Sequence, residues 1–247
     1  MFQFQSHLIF PTHAVPPPGP WPHGAERLSL TTADGYELAG IHIPAEKGSR
    51  ERVLILGFGG NAWNAQDVAS YLHELFPKED VVVFHYRGYA PSEGSPSSEA
   101  LIADAPLVYD FAVDRVKPAR VVAIGFSIGS GVAATLAAKR KLDGLILVTP
   151  FDSLKAVAQS MFPWLPIGPI FEHEIDAASA LEKAGTPIAI IGAEKDQIVL
   201  PERTEALRRR APTPLFDRTI PGAGHNDIYA RSDFHEAMRE AFGRFKL

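Results

Sequence analysis

The sequence contains no cysteine, which excludes disulfides, a thiolate nucleophile and zinc held by cysteine. It also lacks the usual mark of a secreted chain. A basic excess is missing too, since 24 Lys and Arg stand against 29 Asp and Glu for a net charge of −5. A nucleic-acid partner would ask for the opposite balance. No run approaches the roughly 18 to 20 apolar residues that span a bilayer. Met1 to Phe10 has neither the basic start nor the long apolar core of a signal peptide, and the expectation is a soluble, cytoplasmic protein. Neither His173-Glu174 nor His235-Glu236 is followed by a second histidine at zinc-protease spacing, so no metal and no cofactor is expected.

What is present is a chain of 247 residues, 46% hydrophobic and 21% charged, the composition of an ordinary globular protein. No Gly/Ser linker, charge block or internal repeat divides it, so one domain over 1–247 is expected. Pro11, Pro16, Pro17, Pro18, Pro20 and Pro22 exclude a helix or central strand over 11–24 and leave an extended surface segment. Glu26 to Thr31 and Tyr36 to Ile43 flank Thr32-Ala33-Asp34-Gly35, where Asp-Gly signals an antiparallel hairpin at a sheet edge.

From Arg52 onward apolar strands alternate with helical spacing, the pattern of βαβ units in a mostly parallel sheet covered on both faces. The strands are expected at Val53–Leu56, Val81–His85, Val121–Gly125, Leu145–Val148, Ile188–Ile191 and Leu215–Ile220. Val68, Leu72, Leu75 and Phe76 keep a helical period, as do Leu101, Ala105, Val108 and Ala112. After Pro150 the period is lost, and a small cap is expected over 151–175. Its Phe162, Trp164, Leu165 and Phe171 either line an acyl pocket or pack the cap down.

The stretch Val121 to Gly131 runs from a β-branched strand directly into a helical segment, with Gly125-Phe126-Ser127-Ile128-Gly129 at the join. A turn this sharp forces its central residue into strained backbone and needs small neighbours, the arrangement that lifts a nucleophilic serine above a sheet. A serine hydroxyl needs a base to take its proton, and the base needs a carboxylate to set its tautomer. In this fold class those partners follow later strands in the order Ser, acid, His. Asp196 stands on the loop after Ile188–Ile191, and His225 follows the last strand across Pro221-Gly222-Ala223-Gly224. Glu194 and Asp227 are rival carboxylates; Glu194 lies nearer the strand and Asp227 two residues past the base.

The developing oxyanion needs two backbone amides. Ile128, next after the serine, would supply one, and Asn61 in Gly57-Phe58-Gly59-Gly60-Asn61-Ala62-Trp63-Asn64 the other. The same loop reads Gly57-x-Gly59-x-x-Ala62, a dinucleotide-binding fingerprint. That alternative wants an acid at the end of the following strand, which instead ends Phe84-His85-Tyr86-Arg87. A hydrolase-fold binding protein without catalysis is a further alternative.

Together the residues resemble the α/β-hydrolase fold and, within it, the Bem46-type serine hydrolases. The resemblance rests on Thr32-Ala33-Asp34-Gly35, Gly60-Asn61-Ala62-Trp63-Asn64 and Tyr86-Arg87-Gly88-Tyr89-Ala90-Pro91-Ser92-Glu93-Gly94, together with the serine motif. It extends through Thr149-Pro150-Phe151-Asp152-Ser153, Lys195-Asp196-Gln197-Ile198-Val199 and Gly222-Ala223-Gly224-His225-Asn226-Asp227. It implies Ser127, Asp196 and His225 as a triad acting on a carboxylic ester by way of an acyl-enzyme. A thioester or peptide substrate would use the same groups. Two departures stand out: the family usually has His-Gly where this chain has Gly59-Gly60, and many relatives carry a membrane or lipid anchor at the N-terminus, so depalmitoylation carries over less directly.

Overall fold

A computed structural model describes residues 9–46, 51–162 and 171–247. The Asp-Gly signal marks a hairpin between β1 (Glu26–Thr31) and β2 (Glu37–Ile43), paired antiparallel from Glu26 opposite His42 to Thr31 opposite Glu37. Gly35 holds φ at +91°, where a side chain would be strained. The apolar runs that follow form β3 (Val53–Phe58), β4 (Asp80–Phe84), β5 (Arg120–Phe126), β6 (Gly144–Val148), β7 (Ile188–Ala193) and β8 (Phe216–Ile220). The strands make one eight-stranded sheet in the order β1-β2-β4-β3-β5-β6-β7-β8. Its hairpin edge is antiparallel and the rest parallel.

Every residue of β3, β4, β6 and β7 is buried, because helices cover both faces of the parallel part. On one face lie α2 (Ser98–Val116), α3 (Ile128–Ala137) and α5 (Ala177–Glu182), packed through Leu101, Val132 and Leu181. On the other lie α1 (Ala65–Leu75) and α7 (Ser232–Gly243), packed through Val68, Leu72, Phe234 and Met238. Burying each such side chain is worth about 1.5–3 kcal/mol relative to leaving it in water. Truncation of Leu72 to alanine would cost about 2–5 kcal/mol through the cavity left behind. Two more helices, α4 (Leu154–Met161) and α6 (Pro201–Arg210), follow β6 and β7. Among the described residues no helix is long and apolar enough to cross a membrane.

The structure departs from the sequence expectation in two places. Within the stretch read as aperiodic, α4 forms, capped by Ser153, whose hydroxyl accepts from Ala156 N at 3.2 Å. Its buried Leu154, Val157 and Ala158 do keep helical spacing, but eight residues ending at Phe162-Pro163 are too few to stand out as a period. An isolated antiparallel bridge joins Ser153 to Asp176. Trp164 and Leu165 lie outside the described residues. In the proline-rich segment Thr12–Ala14 makes a 3-10 turn, with Ala14 N donating to Pro11 O at 2.9 Å. Pro11 can open such a turn because it supplies only the carbonyl.

The chain order reverses at β3, since β4 lies on one side of it and β5 onward on the other. Loops leaving the carboxyl ends of β3 and β5 therefore diverge and open a crevice. The glycine loop and Ser127 both stand at this crevice.

Candidate active site

Ser127 joins β5 to α3 as the residue between them, with φ 52° and ψ −120°, a conformation that costs about 1–3 kcal/mol for a residue with a side chain. Its own amide is satisfied by Val148 O at 2.9 Å. The turn closes only because its flanking residues are glycines. A Cβ on Gly125 would stand 2.7 Å from Ser130 Cα, and one on Gly129 2.6 Å from Gly59 O.

His225 Nε2 lies 2.9 Å from Ser127 Oγ, and its Nδ1 lies 2.7 Å from Asp196 Oδ2. With Nδ1–H donating to the carboxylate, Nε2 is left to accept from the serine hydroxyl. The other carboxylate oxygen accepts from Ile198 N at 2.9 Å and Val199 N at 2.8 Å. Asp196 and His225 are buried and Ser127 half-buried, so these contacts are largely shielded from water. The structure thus brings the three sequence-expected side chains together.

The two rival carboxylates do something else. Glu194 accepts from Gly222 N at 2.7 Å and Asp227 from Gly224 N at 2.6 Å. Both are exposed, and between them they satisfy amides of the glycine turn that delivers His225. Sequence reasoning missed this role, although two acids bracketing a glycine-rich turn were the available signal.

Ser127 and His225 open into a cavity of about 460 Å³ that Asn61 and Ile128 also line. One wall is apolar and comes from Phe151, Leu154, Val157, Ala158, Met161 and Phe162. Among the described lining residues none is Asp, Glu, Lys or Arg. Of the aromatic cap residues, Phe162 lines the cavity, whereas Phe171 packs against the core and meets the His173 ring at 6.5 Å between centroids. The cavity also takes Tyr229, whose ring stands 4.9 Å from Trp63 and 5.8 Å from Phe126. Ile9 and Pro11, the latter opening the proline-rich segment, line it as well. No periodicity there pointed to the site, and the hydrogen bonds of Ile9, Gly19 and Pro20 reach 46 to 52 positions along the chain.

The glycines of Gly57-x-Gly59-x-x-Ala62 serve packing. A Cβ at Gly57 would meet Leu72 at 2.6 Å and Val83 at 2.8 Å, and one at Gly59 would meet Val68 at 3.0 Å. Asp80 stands at the start of β4 and binds His42 at 2.6 Å and Arg52 at 2.9 Å. The sheet order also differs from the dinucleotide fold, which places two further parallel strands beside the first; here only β4 does so before the antiparallel β2.

A sequence profile of the alpha/beta hydrolase fold matches residues 53–168. An uncharacterized protein of Mycobacterium tuberculosis is 32% identical over 233 residues, spanning 90% of this chain and 81% of that one. Protein bem46 of Schizosaccharomyces pombe is 28% identical over 259 residues, spanning 97% and 86%. Among solved structures an esterase of Pyrococcus furiosus superposes with a TM-score of 0.73 at 19% identity, covering 94% of this chain and 97% of that one.

Proposed function

The chain belongs to the α/β-hydrolase family, in its Bem46-type branch, and from that premise we propose that it is a serine hydrolase that cleaves carboxylic esters. The observation that carries this reading is the unbroken relay from Ser127 Oγ through His225 to Asp196, at 2.9 and 2.7 Å.

In this mechanism His225 Nε2 takes the hydroxyl proton as Ser127 Oγ attacks the ester carbonyl carbon. Asp196 holds Nδ1–H and stabilises the imidazolium that forms. The carbonyl electron pair moves onto oxygen, where the backbone amides of Asn61 and Ile128 donate to it. Collapse of the tetrahedral intermediate breaks the bond to the leaving alkoxide, which takes the proton from Nε2 and departs as alcohol. Water then enters, gives a proton to His225 and attacks the acyl carbon. The second intermediate releases the acid and returns the proton to Ser127. The apolar, uncharged lining supports an acyl group without charge.

Hydrolysis of p-nitrophenyl esters of increasing acyl length tests the reading. Wild type should turn over, and Ser127→Ala should lose on the order of 10⁴-fold or more in kcat. Equal, slow rates for the two proteins would leave a binding protein of hydrolase fold in its place. A fluorophosphonate should label wild type and spare Ser127→Ala, and a parallel panel of acyl thioesters reads the leaving-group preference.

A further inference from the structure

The loop after β3 carries the Asn61 amide, and it is held by side chains. Tyr86 Oη donates to the Gly59 carbonyl at 2.8 Å. The Asn61 carboxamide donates through Nδ2 to the Ile9 carbonyl and accepts at Oδ1 from the Tyr89 hydroxyl. Within the loop Trp63 N donates to Gly60 O at 3.3 Å. A peptide group is planar and trans, so fixing a carbonyl fixes the N–H of the next residue on the opposite side. Holding Gly60 O toward Trp63 thus turns the Asn61 N–H the other way. The Gly59 carbonyl is pressed from a second direction, because it lies against Gly129 of α3.

The two tyrosines come from the turn after β4, which is itself anchored. Arg87 grips Asp104 through Nε at 3.0 Å and Nη2 at 2.6 Å, and reaches Asp34 with Nη1. Burial pushes both phenols upward, which keeps their hydroxyls protonated donors through the working pH range.

We propose that Tyr86, Tyr89 and the Asn61 carboxamide are positioning groups that set the oxyanion-binding amide of Asn61, and that they draw the N-terminal segment at Ile9 into the same frame. The inference rests on the serine-hydrolase reading. The frame reaches the Gly59-Gly60 pair directly, through Tyr86 on the Gly59 carbonyl. It also gives the Ile9–Pro11 wall of the cavity a mechanical link to the oxyanion loop, since an acyl group pressing on that wall loads the bond to Asn61.

The test compares Tyr86→Phe, Tyr89→Phe and Asn61→Ala with Tyr109→Phe, a control whose hydroxyl bonds only Lys141 O on the surface, at 2.9 Å. Three quantities are read: kcat and KM on one p-nitrophenyl ester, Ki for a trifluoromethyl ketone of the same acyl chain, and the melting temperature. Tyr86→Phe and Asn61→Ala should lower kcat about 10- to 100-fold with KM within about twofold. Ki should rise by the factor by which kcat/KM falls, because the ketone adduct carries the oxyanion. Adding Tyr89→Phe to Asn61→Ala should cost nothing more, since Asn61→Ala already removes the bond from the Tyr89 hydroxyl along with the one to Ile9. Should Tyr86→Phe fail to fold, the half-buried Asn61→Ala carries the same comparison. Variants that match wild type, or that lose activity with Ki unchanged, overturn the frame alone. A wild type that neither turns over esters nor takes a fluorophosphonate overturns the hydrolase reading and the frame with it.

Discussion

Two sides of Ser127 are built differently. On the base side Asp196 and His225 sit on short loops braced by nearby backbone: Ile198 N and Val199 N on the carboxylate, and Gly222 N and Gly224 N on Glu194 and Asp227. On the oxyanion side the 59–61 backbone is held by hydroxyls from Tyr86 and Tyr89 and, through Asn61, by the carbonyl of Ile9. Most base-side braces lie two or three residues from the group they hold, whereas the side-chain braces of the oxyanion side come from 27 to 52 residues away, with only the Trp63 N bond to Gly60 O made within the loop. A local brace travels with its motif, while a distant one depends on the whole fold being formed.

The largest effect expected from breaking this comparison is on the base side. Asp196→Asn keeps an acceptor for Ile198 N and Val199 N but presents His225 with the wrong partner, so kcat should fall about 10⁴-fold with the fold intact. Glu194→Gln and Asp227→Asn should cost only a few-fold in the same assay, and a loss of 10³ from either would give that residue the role assigned to Asp196. Next comes the seam between the two sides. Gly129→Ala drives a methyl group into the Phe58 and Gly59 carbonyls, and thermal unfolding should report a loss of at least about 3 kcal/mol.

His85 probes the foot of the oxyanion side by pH. Burial holds it at about 4, against 6.5 for a free side chain. The folded protein therefore keeps it neutral while the unfolded chain takes a proton below pH 6.5. Its contribution is complete above pH 6.5 and is lost as pH falls toward 4, by at most about 3 kcal/mol. Chemical denaturation across that window should show the decline in wild type and a flatter profile in His85→Gln; parallel profiles would remove His85 as the cause. The smallest effect belongs to a pair outside both sides. Arg140 and Asp110 meet at 2.8 and 2.7 Å on the surface, and Arg140→Ala should change stability by no more than about 1 kcal/mol and leave turnover alone.

The strands from Val53 to Ile220 were legible because full burial selects continuous apolar runs, and the observed bounds differ from the expected ones by no more than two residues at either end, with β4 ending and β8 starting one residue inside the expectation. Ser127 was legible because the serine motif is contiguous in sequence: Gly125 is needed by contacts with Gly129 and Ser130 within the turn, although what requires Gly129 is the distant backbone of Phe58 and Gly59. The choice among Asp196, Glu194 and Asp227 was only partly legible. All three stand on neighbouring loops, and direction in space separates the one that meets His225 from the two that cap glycine amides. Helix α4 was too short to show a period, and the proline-rich segment has none.

What the sequence determined by itself is the order of elements and the serine, acid and histidine carried on them, since strand burial and a strained turn each leave a local mark on residue type. What only the tertiary structure decided is which distant groups meet: Tyr86 on Gly59, Asn61 between Tyr89 and Ile9, and Ile9 and Pro11 against the cavity. A single hydrogen bond across 52 positions asks for a donor and an acceptor, and nearly every residue has both.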